Sequence, residues 1–179
     1  YFATVNGGGV IVPLDRDLSD YDLADFLNLS EASALVYTES MAKRIPGIRK
    51  NAPGVKVFIP IGGADSGADG TYPMAKLLEM GERLLVSGDT RFTSHRIDLE
   101  KMCALLFTSG TTGTSKGVML SQRNLTAATN ASCQSMEYDD TNTFVSVLPM
   151  HHSYEVTCGH LAIQNIGGSI YINDGLKNA

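Results

Sequence analysis

The sequence predicts an α/β fold, a largely parallel sheet with helices on both faces, and two observations predict it. Short apolar runs of strand length alternate along the chain with amphipathic stretches of helix length. The links between them are short, without a repeat or a low-complexity tract, which is the pattern of βα units and not of separate all-β or all-α layers. At 179 residues the chain can bury roughly 70% of its unfolded surface in one core. Its 43% hydrophobic and 18% charged residues are those of a globular protein.

Taken in order, Gly7-Gly8-Gly9 reads as a tight turn into a short buried strand, Val10 to Asp15, with the glycines packed closely against a neighbouring element. Ser19 is placed to cap a helix over Asp20 to Asn28, with Leu23, Phe26 and Leu27 on one face. A strand from Ala32 to Thr38 follows, then a helical stretch from Glu39 to Lys50 broken near Pro46-Gly47, then a strand from Lys56 to Ile61. Beyond a loop of small residues, Tyr72 to Ser87 reads as a helix whose candidate core is Met74, Leu77, Leu78, Leu84 and Leu85. Gly88 to Asp98 is polar and exposed, His95 included. Cys103 to Phe107 is a buried strand, and Ser121 caps a helix that runs to about Met136. A strand from Thr143 to Met150, a helix from Ser153 to Ile166 and a strand from Ser169 to Asn173 complete the alternation.

The strand Cys103 to Phe107 stops at Thr108-Ser109-Gly110-Thr111-Thr112-Gly113-Thr114-Ser115-Lys116-Gly117, followed by the apolar run Val118 to Leu120. Such a loop has no large apolar side chain to give to a core. Gly110, Gly113 and Gly117 permit positive φ and close backbone approach, so that successive N–H groups can converge on an anion. The hydroxyls and the Lys116 ammonium add donors suited to phosphate oxygens. A plain Gly/Ser surface loop is the simpler reading; the order of strand, hydroxyl-glycine loop, lone lysine and new apolar run argues against it.

Three patterns compete here. The Walker loop fails twice, because Ser115 stands where its second glycine belongs and Gly117 where its metal-binding hydroxyl belongs. Gly113-Thr114-Ser115-Lys116-Gly117 matches the Gly-x-Ser-x-Gly of hydrolases, but that serine should follow its strand directly. The third pattern fits best: Thr-Ser-Gly-Thr-Thr-Gly-x-x-Lys-Gly resembles the phosphate-binding signature of the adenylate-forming enzymes. These include acyl-CoA synthetases, luciferases and peptide-synthetase adenylation domains. The family usually has Pro before the Lys, where this chain has Ser115.

A second loaded segment, Pro149-Met150-His151-His152-Ser153-Tyr154-Glu155, follows the later strand. In open α/β sheets ligands bind beyond the carboxyl ends of strands, so two such ends on one rim would form one site if their strands are parallel neighbours. From spacing alone, one His capping the helix and the other half buried is one reading. General acid–base catalysis is another, and metal binding is disfavoured because His-Glu-x-x-His is absent. The stretch Leu148 to Glu155 resembles the Leu-Pro-x-x-His-x-aromatic segment of the same family, and its His-His-x-Tyr-Glu form looks most like fatty acyl-CoA synthetases. Gly8 to Asp15 also resembles the Gly-x-x-x-Pro-Leu-Asp stretch early in the family's large domain, so the likeness spans the chain.

The resemblance implies a two-step reaction: a carboxylate attacks the α-phosphate of ATP to give an acyl-adenylate and pyrophosphate, and coenzyme A then displaces AMP. It implies ATP contacts at Thr108, Ser109, Gly110, Thr111, Thr112, Gly113 and Lys116, and Mg²⁺ near Thr108. Catalytic roles fall to Lys116 and His152, and the acid, a fatty acid, would meet His151, His152 and Tyr154. The adenine, ribose and lid-domain residues of the family are expected outside residues 1–179, so the chain is expected to be part of the N-terminal AMP-binding domain, without the C-terminal lid and inactive alone. Tyr1, which is not Met, and the turn at Asp174 to Ala179 suggest the same excerpt. A peptide-synthetase adenylation domain, an aryl-acid ligase and a non-catalytic nucleotide-binding module are the alternatives.

A net charge of −5 argues against a general nucleic-acid or anionic-membrane surface. No apolar run approaches the ~20 residues of a membrane span, and no signal peptide opens the chain. Cys103, Cys133 and Cys158 show no Cys-x-x-Cys spacing and are expected as free thiols in a reducing, cytoplasmic setting.

Overall fold

The β-branched and aromatic runs Ala34–Thr38 and Val57–Ile61 form strands β1 and β2, which pair in parallel with Val36 opposite Ile59. The computed structural model describes residues 1–63, 68–108 and 116–173. The chain divides into two compact units, Arg16–Arg96 and Tyr1–Asp15 with Ile97–Ala179.

In the Arg16–Arg96 unit, Ser19 caps helix α2 (Asp20–Leu29): its hydroxyl oxygen accepts from the Asp22 N–H at 3.1 Å, satisfying one orphan donor of the first turn. Leu23 and Leu27, one helical turn apart, are buried, as are Leu35, Ile48 and Phe58 of the same unit. The broken helix resolves into a 3₁₀ turn (Glu39–Arg44) and α3 (Ile45–Asn51), with Pro46 in the first turn of α3, where its missing N–H costs nothing. Thr71 extends the sheet by a parallel bridge to Phe58. Helix α4 (Met74–Val86) forms where expected, but the core assigned to it does not: no residue of α4 is buried, and Leu78 and Leu85 are 67% and 62% exposed. Its leucines do line one face, yet only Met74 and Leu77 among the assigned core residues are even half-buried. Amphipathic spacing reports that a helix has an apolar side, not what lies against that side.

In the other unit, α1 (Phe2–Asn6) ends at the glycine triplet. Gly8 takes φ 81°, and a Cβ on Gly9 would come within 3.0 Å of Thr4 Cγ2, so one glycine turns the chain and the next packs tightly. The predicted strand from Val10 to Asp15 contracts to a single parallel bridge, Ile11 with Ala104. Strand β3 (Met102–Thr108) has four consecutive buried residues, Cys103 to Leu106, as a strand covered on both faces requires. It pairs antiparallel with β4 (Lys116–Ser121). The core here is Val5, Cys103, Ala104 and Leu125, with Tyr1, Ile11, Leu120 and Leu161 against it.

Ser121 and Asn124 exchange hydrogen bonds in a capping box that starts α5 (Gln122–Ser135). Strands β5 (Thr143–Ser146) and β6 (Ser169–Ile172) pair in parallel. The helix expected from Ser153 to Ile166 is instead a π-helical segment (Glu155–Leu161) running into the short α6 (Ala162–Asn165).

Mixed helices and parallel pairs thus give the predicted α/β class, with a departure in sheet construction. Among the described residues the strands form three two-stranded sheets, two parallel and one antiparallel. The antiparallel pair arises because the run Val118 to Leu120 returns along β3 without a crossover helix.

Candidate functional site

Strand β3 and its return β4 determine where the predicted phosphate loop begins and ends. Thr108 and Lys116 are directly opposed in the ladder, so they are the first and last residues of the segment they enclose. Opposed Cα atoms in such a ladder lie about 4.5–5.5 Å apart, which brings a hydroxyl and an ammonium together at one mouth. Both residues are exposed. Ser109, Gly110, Thr111, Thr112 and Gly113, together with Thr114 and Ser115, lie outside the described residues. Gly117 is not a loop glycine of positive φ: it sits in β4 opposite Phe107, where a Cβ would come within 3.1 Å of Leu105 Cδ1. Crowding, not chain reversal, is the physical reason for glycine there.

The second segment leaves β5 at Ser146, four residues earlier than expected, and reaches the π-helical segment through His151 and His152. The His152 N–H donates to the Pro149 carbonyl at 3.0 Å, and the Val156 N–H donates to the His152 carbonyl at 3.2 Å, so the corner is closed by its own backbone. The two imidazoles lie 4.3 Å apart between centroids at 44°. His151 Nε2 is 3.7 Å from Asp15 Oδ2, while His152 is exposed and Tyr154 is 57% exposed. The paired ring is therefore His151, and the ring open to a ligand is His152.

Strands β3 and β5 are not hydrogen-bonded neighbours, so the shared rim does not come from adjacent strands. Asp15 supplies the connection instead. The Ile11 N–H donates to Cys103 O at 2.9 Å and the Leu105 N–H to Ile11 O at 2.9 Å, so the chain at Ile11 runs parallel to β3. From that point neither helix nor turn interrupts it as far as Asp15. Asp15 and Thr108 each stand four residues beyond the Ile11–Ala104 bridge, in the same direction. Asp15 meets His151, which brings the histidine corner toward the carboxyl end of β3. Sequence reading used Asp15 only as part of a motif; its role in placing His151 needed the fold.

Beneath the corner lies a polar cluster that the sequence reading also missed. The Ser146 hydroxyl donates to Glu155 Oε1 and lies 3.3 Å from His160 Nε2, with Ser146 and Glu155 only 3% and 1% exposed. At 3.6 residues per turn, positions five apart point about 140° away from each other, so an α-helical reading separates Glu155 from His160. The i→i+5 repeat of the π-helix brings them to one side.

The exposed Thr108 hydroxyl and Lys116 ammonium are donors complementary to phosphate oxygens. Among the described residues, no group of three or more His, Cys, Asp or Glu side chains is placed to hold a metal ion. A cleft of about 300 Å³ lined by Tyr1, Val5, Gln122, Leu125, Thr129 and Gln164 contains none of the predicted site residues.

The sequence model of the AMP-binding enzyme family matches residues 1–178. A chloroplastic long-chain-fatty-acid–[acyl-carrier-protein] ligase of Arabidopsis thaliana is 34% identical over 119 residues, 59% of this chain and 16% of its own length. A medium-chain-fatty-acid–CoA ligase of Ectopseudomonas oleovorans is 27% identical over 154 residues, 85% of this chain and 28% of its own. Among solved structures, ATP-bound MatB from Rhodopseudomonas palustris superposes with a TM-score of 0.71 at 24% identity, covering 97% of this chain and 31% of that one. The chain therefore spans less than a third of the length of each of these proteins.

Proposed function

The chain belongs to the AMP-binding enzyme family, and from that premise we propose that it is part of the N-terminal domain of an ATP-dependent fatty acid–CoA ligase. The carboxylate attacks the α-phosphate of ATP, the acyl-adenylate forms and pyrophosphate leaves; the thiol of coenzyme A then displaces AMP. The observation that carries this reading is the opposition of Thr108 and Lys116 across the mouth of Ser109–Ser115, whose hydroxyl-glycine sequence has the chemistry of a phosphate cradle.

Attack of one anion on another is slow unless charge is neutralised and the leaving group is held in line. Lys116 supplies the positive charge and Thr108 a hydroxyl for the β- and γ-phosphates, joined by donors from Ser109, Gly110, Thr111, Thr112 and Gly113. Thr108 is the hydroxyl proposed to stand near a Mg²⁺ ion, which would screen the charge of the same phosphates. His152, held at its corner and open on one side, orients the acyl carboxylate, while His151 and Tyr154 line its approach.

The fatty-acid assignment draws on the names of the two ligases above, one using coenzyme A and one an acyl-carrier protein as acceptor. Among the described residues no helix is long and apolar enough to cross a membrane. The three cysteines are free, which supports a reducing, cytoplasmic setting. Residues 1–179 alone do not catalyse adenylation; acid-dependent pyrophosphate exchange by the isolated chain would overturn that statement. The test of the whole reading is a pyrophosphate-release screen of the full-length parent against acids of graded chain length. Release should require a fatty acid. Preference for amino or aryl acids, or ATP binding indifferent to any carboxylate, would contradict it.

A further inference from the structure

We propose that Ser146, Glu155 and His160 form an internal latch that positions the His151–His152–Tyr154 corner, with Glu155 as its central positioning residue; this rests on the ligase reading above. Glu155 is almost wholly buried, yet a carboxyl group is costly to bury and would not stand there for packing alone. Its Oε1 accepts the Ser146 hydroxyl proton. The same Ser146 oxygen lies 3.3 Å from His160 Nε2 and accepts from it in the tautomer that carries the ring proton on Nε2. Among the described residues no buried side-chain nitrogen or oxygen lacks a partner, so the cluster is a satisfied network and not a strained one.

Its place in the chain gives it a task. Ser146 is the last residue of β5 and Glu155 the first of the π-helical segment. The hydrogen bond between them ties the two ends of the connection that carries His151, His152 and Tyr154. The Val156 N–H, next in the chain to Glu155, donates to the His152 carbonyl, so the backbone that carries the ring proposed to hold the carboxylate is tied to the residue after Glu155. Gly159 keeps room for the arrangement: a Cβ there would lie 2.6 Å from Phe144 Cε1 and 3.3 Å from Glu155 Cδ. The network thus uses three polar side chains, one helix irregularity and one glycine to fix a corner whose own side chains are exposed.

The test compares Glu155→Leu, Glu155→Gln and Ser146→Ala in the full-length parent, with acid and ATP varied separately and rates expressed per folded molecule. A misplaced orienting group costs up to about 100-fold, so Glu155→Leu should lower kcat/KM for the acid by about 10–100-fold while KM for ATP stays within about twofold. Gln retains an oxygen acceptor for Ser146, and Glu155→Gln should stay within about threefold of wild type. Ser146→Ala should follow the leucine variant in direction and serves in its place if that variant does not fold. Hydrogen exchange gives a readout independent of turnover: amides of residues 147–156 should exchange at least about tenfold faster in Glu155→Leu, with those of residues 34–61 unchanged. Unaltered acid kinetics per folded molecule, or equal losses for acid and ATP, would overturn the latch. So would unaltered exchange, even in a parent that releases no pyrophosphate and so fails the ligase reading.

Discussion

Thr108 and Lys116 illustrate how much depends on a single pair. Thr108 is exposed at the end of a strand whose middle residues, Cys103 to Leu106, are buried. A Thr108→Val change keeps the β-branched shape and removes only the oxygen. A hydrogen bond to a charged group contributes about 1.5–3 kcal/mol, so the variant of the full-length parent should lose about tenfold or more in adenylation rate with its melting temperature little changed. Steady-state pyrophosphate release and a thermal melt together check this. Cys103, a few residues earlier on the same strand, behaves in the opposite manner. Burial raises its thiol above the ordinary value of 9.0, because the thiolate would be the form stripped of water. The unfolded chain therefore releases that proton first, so this thiol's contribution to stability is intact below about pH 9 and falls as pH rises beyond it. Iodoacetamide at pH 8 should leave native Cys103 unmodified while the half-buried Cys133 and Cys158 react, with all three reacting alike in urea.

At the scale of elements, the π-helical segment carries the most information and was the least legible. Gly159 stands in a helix interior, where Gly→Ala ordinarily gains up to about 1 kcal/mol. Here the added methyl would meet the Phe144 ring at 2.6 Å, and overpacking of that kind costs about 1–3 kcal/mol, so the clash prevails. Gly159→Ala should lower the urea midpoint of the full-length parent; a higher midpoint would mean the π-register is not held as described. Strand β3, the capped start of α2 and the capped start of α5 could be read in the sequence because each rests on local chemistry: an apolar run, or a serine before a helix. The return strand β4, the π-register and the open face of α4 could not, since each depends on pairing or packing that a local apolar pattern does not specify. The same division holds for the site. Lys116, His151 and His152 were recognisable by type and order, whereas the Asp15–His151 contact and the Ser146–Glu155–His160 network join residues separated by an entire fold or by a helical register that no propensity announces.

For the whole molecule, the family match covers residues 1–178, while the relatives described above extend to more than three times the length they share with this chain. The hairpin mouth and the histidine corner are accordingly proposed as one portion of an adenylation site completed by the remainder of the parent protein. This assigns distinct work to the two strand ends: the β3–β4 mouth holds pyrophosphate as it departs, and the corner after β5 orients the acid as it attacks. A change at the first should reduce the exchange of pyrophosphate whatever the acid. The most direct measurement is ATP–pyrophosphate exchange by the full-length parent with a saturating fatty acid, comparing wild type with Lys116→Ala. Loss of one donor to developing charge costs about 100–1,000-fold, so wild type should exchange only when the acid is present and Lys116→Ala at least about 100-fold more slowly. Exchange by Lys116→Ala at the wild-type rate would contradict the assignment of the hairpin mouth as the phosphate site.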